Sequence, residues 1–176
     1  NMPGISWTLR ELGSLCHGVN SEIYAARVKL QQFMYNVKDN MRFISYDPDA
    51  PLLHAHSDTS HARDIIYHTN AWMGIIYLHG CPLLHQVANF NAEISSSHCE
   101  YVGGSMTTDL LLSVQNFMME VCPGAGYDAA LEVHMDASSA IHAAVAPAML
   151  PKYKHIPLHA QKVRTHAQLG DIVLRK

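Results

Sequence analysis

Charged residues are scarce in this sequence, and long apolar runs are missing from it. Of the 176 residues, 15% are charged and 48% are hydrophobic. That composition is typical of a folded domain and excludes a highly charged, disordered chain. A membrane-spanning helix needs about 20 consecutive apolar residues, so we expect no membrane span. The sequence shows no signal-peptide pattern and begins with Asn1, from which we expect a processed product or a fragment of a longer chain.

Close cysteine pairs are also missing. The four cysteines, Cys16, Cys81, Cys99 and Cys122, are far apart in the chain. Structural zinc sites and thiol–disulfide motifs both need pairs such as C-x-x-C, so the spacing argues against each of them. We expect buried free thiols in a reducing, intracellular compartment.

A basic stripe, which proteins that grip a nucleic-acid backbone usually carry, is not evident. The chain has 12 basic and 15 acidic residues, with a formal net charge of −3. Basic residues are concentrated near the end of the sequence. The weak candidates for nucleic-acid contacts there are Lys152, Lys154, His155, Lys162 and Arg164.

The first 50 residues have a helical pattern. Apolar residues recur at helical spacing over 5–16 and again over 23–37, which predicts a helical hairpin. The prolines at positions 48 and 51 interrupt any further helix, because proline lacks a backbone donor and restricts its neighbour. We therefore expect a helical connection over 1–50 and a second domain over 51–176.

The second domain mixes strands and helices. We predict strands at 52–56, 72–79, 83–88, 131–134 and 171–174, and helices from 97 to the stop at Pro123–Gly124, over 138–146 and over 157–168. The second and third strands form a hairpin through a turn at 80–82. The order of three strands, helix, strand, helices and strand indicates an α/β fold with helices packed on a mixed sheet.

Three acidic residues lie at the edges of these predicted elements. Asp58 follows the first strand, Glu100 opens the first long helix, and Asp136 follows the fourth strand. If the first and fourth strands are neighbours, the carboxylates converge and offer oxygen ligands for Mg²⁺ or Mn²⁺. Such centres support phosphodiester hydrolysis. Taken singly, each residue is also explained as a turn cap or as a favourable charge at a helix start.

Histidine is abundant, with 13 residues. Six of them could crowd near the carboxylates, where imidazole would bind transition metals. They are His54, His56, His61, His134, His155 and His159. The alternative, which we favour, is that these histidines are scattered over the surface and turns.

Seven short motifs, in order, resemble the copia-type retroelement polymerases. They are 3–12 (PGISWTLREL), 22–35 (EIYAARVKLQQFMY), 55–58 (AHSD), the glycines and proline at 74, 80 and 82, 95–101 (SSSHCEY), 133–141 (VHMDASSAI) and 154–156 (KHI). The resemblance implies a connection region followed by a ribonuclease H-like domain. It matches Asp58, Glu100 and Asp136 to the first three carboxylates of a ribonuclease H site.

The resemblance also shows departures from the family. The family's fourth carboxylate lies beyond the strand at 171–174, in a segment that this sequence does not reach, so we expect the final helix and the fourth ligand to be missing. His85, His98 and Pro157 replace residues that are typical of the family. We therefore favour a catalytically impaired module, kept as a structural or binding subunit of a larger assembly, such as a ribonucleoprotein of the ribosomal kind.

The alternative is an active enzyme. By the resemblance it would be a ribonuclease H that depends on Mg²⁺ or Mn²⁺ and cuts the RNA strand of RNA–DNA hybrids. Expected partners are protein neighbours in an assembly, with RNA or a hybrid as a further ligand.

Overall fold

The structure is a computed structural model that describes residue 47 and residues 49–60, 70–90 and 95–176, with isolated positions between 21 and 35. The chain divides into two units, Asn1–Ser45 and Tyr46–Lys176. In the first unit, the described positions from Ser21 to Tyr35 are helical, in agreement with the predicted helix at 23–37. The predicted helix at 5–16 lies outside the described residues, and the domain boundary at 50/51 stays a prediction.

The second unit contains five strands and three α-helices in its described part. They are β1 (Leu53–Ser60), β2 (Asn70–Leu78), β3 (Cys81–Phe90), α1 (Ser96–Val121), β4 (Leu131–Met135), α2 (Ser138–Val145), α3 (Lys162–Leu169) and β5 (Ile172–Arg175). Two short 3₁₀ turns, Pro151–Tyr153 and Leu158–Ala160, lie between α2 and α3. The predicted order of elements is confirmed.

The strands form one mixed sheet in the order β3-β2-β1-β4-β5. β1 pairs antiparallel with β2, and β2 pairs antiparallel with β3. The β2–β3 turn contains His79 and Gly80, whose positive φ values of 47° and 75° are typical of tight hairpins. β4 runs parallel to β1, and β5 runs parallel to β4, so the predicted neighbourhood of the first and fourth strands is confirmed.

The core lies between the sheet and the helices. Alternate residues of β1 and β4 point towards it, and Leu53, Ala55, Leu131 and Val133 are all buried. The same core includes Leu111 of α1, which is fully buried. Because strand residues alternate between faces, this pattern sends the residues between them to the opposite face of the sheet.

Three details of the predicted elements are wrong. β1 continues to Ser60, so Asp58 lies within the strand and does not follow it. α1 begins at Ser96, capped by the Ser95 side chain, which puts Glu100 in its second turn rather than at its opening. The segment 157–168 is not one helix, because Gln161 (φ −103°, ψ 16°) separates a 3₁₀ turn from α3.

The described cysteines differ in exposure. Cys99 is buried, Cys81 is partly buried and Cys122 is exposed. The expectation of buried thiols is therefore wrong for Cys122, which lies at the exposed end of α1. Cys16 lies outside the described residues. Within the described part of the chain, no helix combines the length and the apolarity that a membrane crossing requires.

Candidate metal centre

Three elements bring the predicted carboxylates together. Asp58 lies near the end of β1, and Asp136 comes directly after β4. In the parallel β1–β4 ladder, Ser57 pairs with Met135, so the two aspartates occupy the next position along the same edge. Glu100 approaches from α1, which packs on β1. One ligand atom from each of the three carboxyl groups lies within 4.8 Å of the others.

Glu100 is the buried member of this carboxylate centre. It is 7% exposed, whereas Asp58 and Asp136 are exposed. The Thr59 hydroxyl donates a hydrogen bond of 2.5 Å to Oε1 of Glu100. The other oxygen, Oε2, is buried and has no hydrogen-bond partner. A buried carboxylate oxygen without a partner is costly, so the arrangement favours either a proton or a cation at that place.

The pKa of Glu100 also reflects the cost of a buried negative charge in this centre. The pKa of Glu100 is raised to about 7, chiefly by burial and also by the negative charges of Asp136 and Asp58, while the hydrogen bond from Thr59 opposes the shift. At neutral pH and without a cation, Glu100 therefore carries a proton for much of the time. A divalent cation would compete with that proton for the same oxygens.

Two adjacent glycines let α1 approach the sheet closely. A Cβ at Gly103 would lie 2.3 Å from Cγ2 of Thr59, and one at Gly104 would lie 2.6 Å from Cε of Met135. Both distances are too short for real contacts, so larger residues would push the helix away from β1 and β4. Because Glu100 lies one turn before Gly103, this close packing sets the distance between Glu100 and the aspartates.

These residues fit a divalent cation with oxygen ligands. Mg²⁺ and Mn²⁺ prefer carboxylates and water, and the centre combines two exposed carboxylates with one buried carboxylate that has a free oxygen. The predicted grouping of Asp58, Glu100 and Asp136 is thus found in the structure. Their roles as ligands and catalytic residues stay predictions.

The predicted nucleic-acid contacts are spread over several environments. Lys152 and Lys154 are exposed, and the ammonium of Lys152 lies 5.1 Å from the Tyr153 ring centre. The ring of His155 lies 4.7 Å from that of His98 at the start of α1, two residues before Glu100. This part of the predicted cluster is therefore connected to the helix that carries Glu100.

The other two predicted contacts have partners inside the protein. Lys162 forms an ion pair of 2.7 Å with Asp109. Arg164 is 8% exposed, and its guanidinium donates to the backbone carbonyl of Ala143 at 2.9 Å. Arg164 therefore joins α3 to α2 and does not present its charge to a ligand.

Sequence reasoning missed two features beside the carboxylates. Thr59 was not singled out, although it holds Glu100. The favoured view of scattered histidines is wrong for His54, His56 and His134, whose ring centres lie within 5.9 Å of one another. The available signal was the alternation His-x-His in one strand and Glu-x-His in its neighbour. His61 and the side chain of His159 lie outside the described residues.

Comparisons with known proteins are sparse. No family model and no curated protein matches the sequence. Among solved structures, the amino-terminal RNase H domain of a Mycobacterium tuberculosis protein, solved as a fusion with maltose-binding protein, is similar at 9% identity and a TM-score of 0.45. That match covers 70% of this chain and 79% of the other.

A second similar structure is the protease–reverse transcriptase of prototype foamy virus, at 12% identity and a TM-score of 0.40. The match covers 77% of this chain and 19% of the viral protein, so this chain spans about a fifth of its length. The strand order and directions define the fold on their own. Three antiparallel strands come first, and a helix and two parallel strands that helices connect come after them. With the strand order 3-2-1-4-5 of the whole sheet, this is a ribonuclease H-like α/β fold.

Proposed function

We propose that this chain is a ribonuclease H-like module of copia-type retroelement ancestry that hydrolyses phosphodiester bonds with Mg²⁺ or Mn²⁺. The substrate we assign is the RNA strand of an RNA–DNA hybrid. The observation that carries the proposal is the convergence of Asp58, Glu100 and Asp136 within 4.8 Å, with the buried Oε2 of Glu100 lacking a partner. The three carboxylates lie at two adjacent strand ends and on a packed helix. They repel one another in the absence of a cation, and a bound cation would remove that repulsion.

The three carboxylates have different tasks in this proposal. Asp58 and Asp136 reach solvent and would bind the cation from the sheet edge, whereas Glu100 would bind it from the buried side. Thr59 positions Glu100 through its hydrogen bond. The bound cation would activate water and stabilise the leaving oxygen. Glu100 must release its proton for binding, so we expect metal binding to strengthen as the pH rises through about 7.

Exposed basic groups near α1 support the choice of a nucleic acid. Lys152 and His155 lie beside His98, close to the turn that bears Glu100. Contacts between basic side chains and the phosphate backbone of a nucleic acid are electrostatic and weaken with added salt. With few such groups in reach, the affinity for a hybrid should be modest and strongly dependent on ionic strength.

A hybrid-cleavage assay tests the proposal. The full chain is incubated with a labelled RNA–DNA hybrid and Mn²⁺ or Mg²⁺, and compared with Asp58→Asn and Asp136→Asn. We expect cleavage of the RNA strand by the unaltered chain and its loss in both variants. The matched control is Asp128→Asn, an exposed aspartate outside the carboxylate centre, which should cleave like the unaltered chain.

A binding measurement separates metal binding from catalysis. Calorimetric titration with Mn²⁺ should show binding that Asp58→Asn weakens and Asp128→Asn does not. Binding without cleavage at any metal concentration would overturn the enzymatic proposal while keeping the metal centre. No binding at all would overturn both.

The second candidate function is a catalytically impaired structural subunit of a larger assembly, such as a ribonucleoprotein. Two observations favour it. Arg164 is buried and Lys162 is held in a half-exposed ion pair with Asp109. The carboxy-terminal end of α1 exposes Phe117 (60%), Met119 (43%) and Val121 (58%). Exposed apolar side chains in a group are typical of contact surfaces. Metal binding without cleavage, as above, would favour this candidate.

A further inference from the structure

The face of the sheet opposite α1 carries a group of imidazoles. Ser57 and Thr59 of β1 point towards α1, since both approach Gly103. Strand residues alternate between faces, so His54 and His56 point to the other side. In the parallel β1–β4 ladder, His54 pairs with Glu132 and His56 pairs with His134. These four side chains, the histidine–glutamate quartet, therefore occupy the corners of one square on that face.

The rings of the quartet are close together. The His56 and His134 rings are stacked with centres 4.6 Å apart. The His54 ring centre lies 5.6 Å from that of His56 and 5.9 Å from that of His134. Three imidazoles bound to one tetrahedral zinc ion through bonds of about 2.0–2.1 Å have ring centres roughly 5 Å apart. The observed spacings bracket that value.

One pair of ligand atoms already has the spacing of a metal site. Nε2 of His134 lies 3.5 Å from Oε2 of Glu132. Two ligand atoms at about 2.1 Å from one tetrahedral ion lie about 3.4 Å apart. The other oxygen of Glu132, Oε1, accepts a hydrogen bond from the guanidinium of Arg175 at 3.2 Å, which holds the carboxylate in this orientation. Partners of this kind orient metal ligands and increase affinity.

We propose that His54, His56, His134 and Glu132 form a binding site for a transition-metal ion of the zinc type, separate from the carboxylate centre. The donor set of three imidazoles and one carboxylate is the kind that Zn²⁺ selects, whereas Mg²⁺ prefers oxygen alone. The carboxylate centre, built from three carboxyl groups, has the opposite preference.

The site is incomplete until the rings turn. Within the described part of the chain, the carboxylates are the group whose ligand atoms already converge within 4.8 Å. His54 and His56 must rotate about χ2, which has broad energy wells, to direct a nitrogen towards the centre of the quartet. Nδ1 of His54 is buried without a hydrogen-bond partner and is therefore available to a metal ion, whereas turning the ring gives up the hydrogen bond of His54 with the Pro51 backbone and its stacking on Tyr77. His56 is exposed, and the site opens to solvent at that corner.

Titration with Zn²⁺ and Co²⁺ alone tests the proposal on the full chain. An excess of Mg²⁺ is present throughout to occupy the carboxylate centre. We expect one Zn²⁺ ion per chain by calorimetry, and with Co²⁺ the visible absorption of a tetrahedral nitrogen–oxygen site. His134→Gln and His56→Gln should each weaken binding by more than the roughly 10–100-fold that follows loss of an orienting partner. Glu132→Gln should weaken it less than either histidine variant.

Three control variants make the result specific. His142→Gln removes a histidine of α2, and Cys122→Ser removes the exposed thiol. Asp136→Asn removes a carboxylate of the other centre. All three should bind Zn²⁺ like the unaltered chain, with circular dichroism confirming the fold of each variant. The proposal is overturned if the unaltered chain binds no Zn²⁺, if binding survives in His56→Gln and His134→Gln, or if Asp136→Asn abolishes it.

Discussion

Replacing Glu100 by glutamine should stabilise the protein at alkaline pH. Glu100 is buried at 7% exposure, and burial raises its pKa from 4.5 to about 7. In the folded state it therefore holds a proton between those values, whereas in the unfolded state it does not. Because the folded state binds the extra proton, the free energy of unfolding falls as the pH rises through this window. Glutamine carries no charge and can still accept the hydrogen bond from Thr59.

The expected size follows from the two pKa values. A shift from 4.5 to about 7 costs the folded state about 3 kcal/mol near pH 8 and less than about 1 kcal/mol near pH 5. The Glu100→Gln variant should thus gain about 2–3 kcal/mol relative to the unaltered chain between those two pH values. Divalent cation should reverse the order, since ligand at about 100 times its Kd adds about 2.7 kcal/mol to the protein that binds it.

Urea unfolding at both pH values, with EDTA and with Mn²⁺, measures these differences. The matched control is Glu120→Gln, which changes an exposed glutamate on the same helix and should alter stability equally at both pH values. If Glu100→Gln were less stable than the unaltered chain near pH 8 in EDTA, the burial argument would be wrong. If the stability difference between the two proteins did not change with pH, Glu100 would not hold a proton in the folded state.

Further predictions concern the surroundings of Glu100 and the basic residues. Gly103→Ala should lower the free energy of unfolding by about 1–3 kcal/mol, because the added Cβ overlaps Thr59; thermal unfolding measures this. Thr59→Val should raise the pKa of Glu100 above about 7, and so shift the pH dependence of stability and of Mn²⁺ binding upwards. Arg164→Ala should lower stability by about 1–3 kcal/mol at unchanged hybrid affinity of the folded protein, whereas Lys154→Ala should weaken salt-sensitive hybrid binding at unchanged stability. Filter binding with parallel denaturation separates these two effects.

Local pattern was enough to predict most elements of the second unit. The apolar repeat at helical spacing and the stop before Pro123 predict α1, whereas its cap at Ser95 is known only from the structure. The turn at Gly80 predicts the β2–β3 hairpin. The residues at which strands and helices begin and end were predicted less accurately. The length of β1 could not be predicted, because polar residues such as Asp58 are tolerated in a strand where ladder partners satisfy its backbone.

The carboxylate centre was predictable as a set, because neighbouring parallel strands end at one edge of the sheet and a packed helix brings its amino-terminal turns to that edge. The partner of Glu100 was not predictable. Thr59 is one residue from Asp58 in sequence but points to the opposite face, and its contact with Glu100 depends on how closely α1 packs.

The histidines show the same division between sequence and structure. The sequence by itself determined that His54 and His56 share one face of a strand, because strand residues alternate strictly. Only the tertiary structure decided that His134 lies beside them, since the parallel register of β1 and β4 pairs residues about 80 positions apart. The carboxylates follow the same rule, because no local pattern specifies which distant strand a given strand will join. Residue types and faces come from the sequence, whereas the distances that create a site come from strand pairing and helix packing.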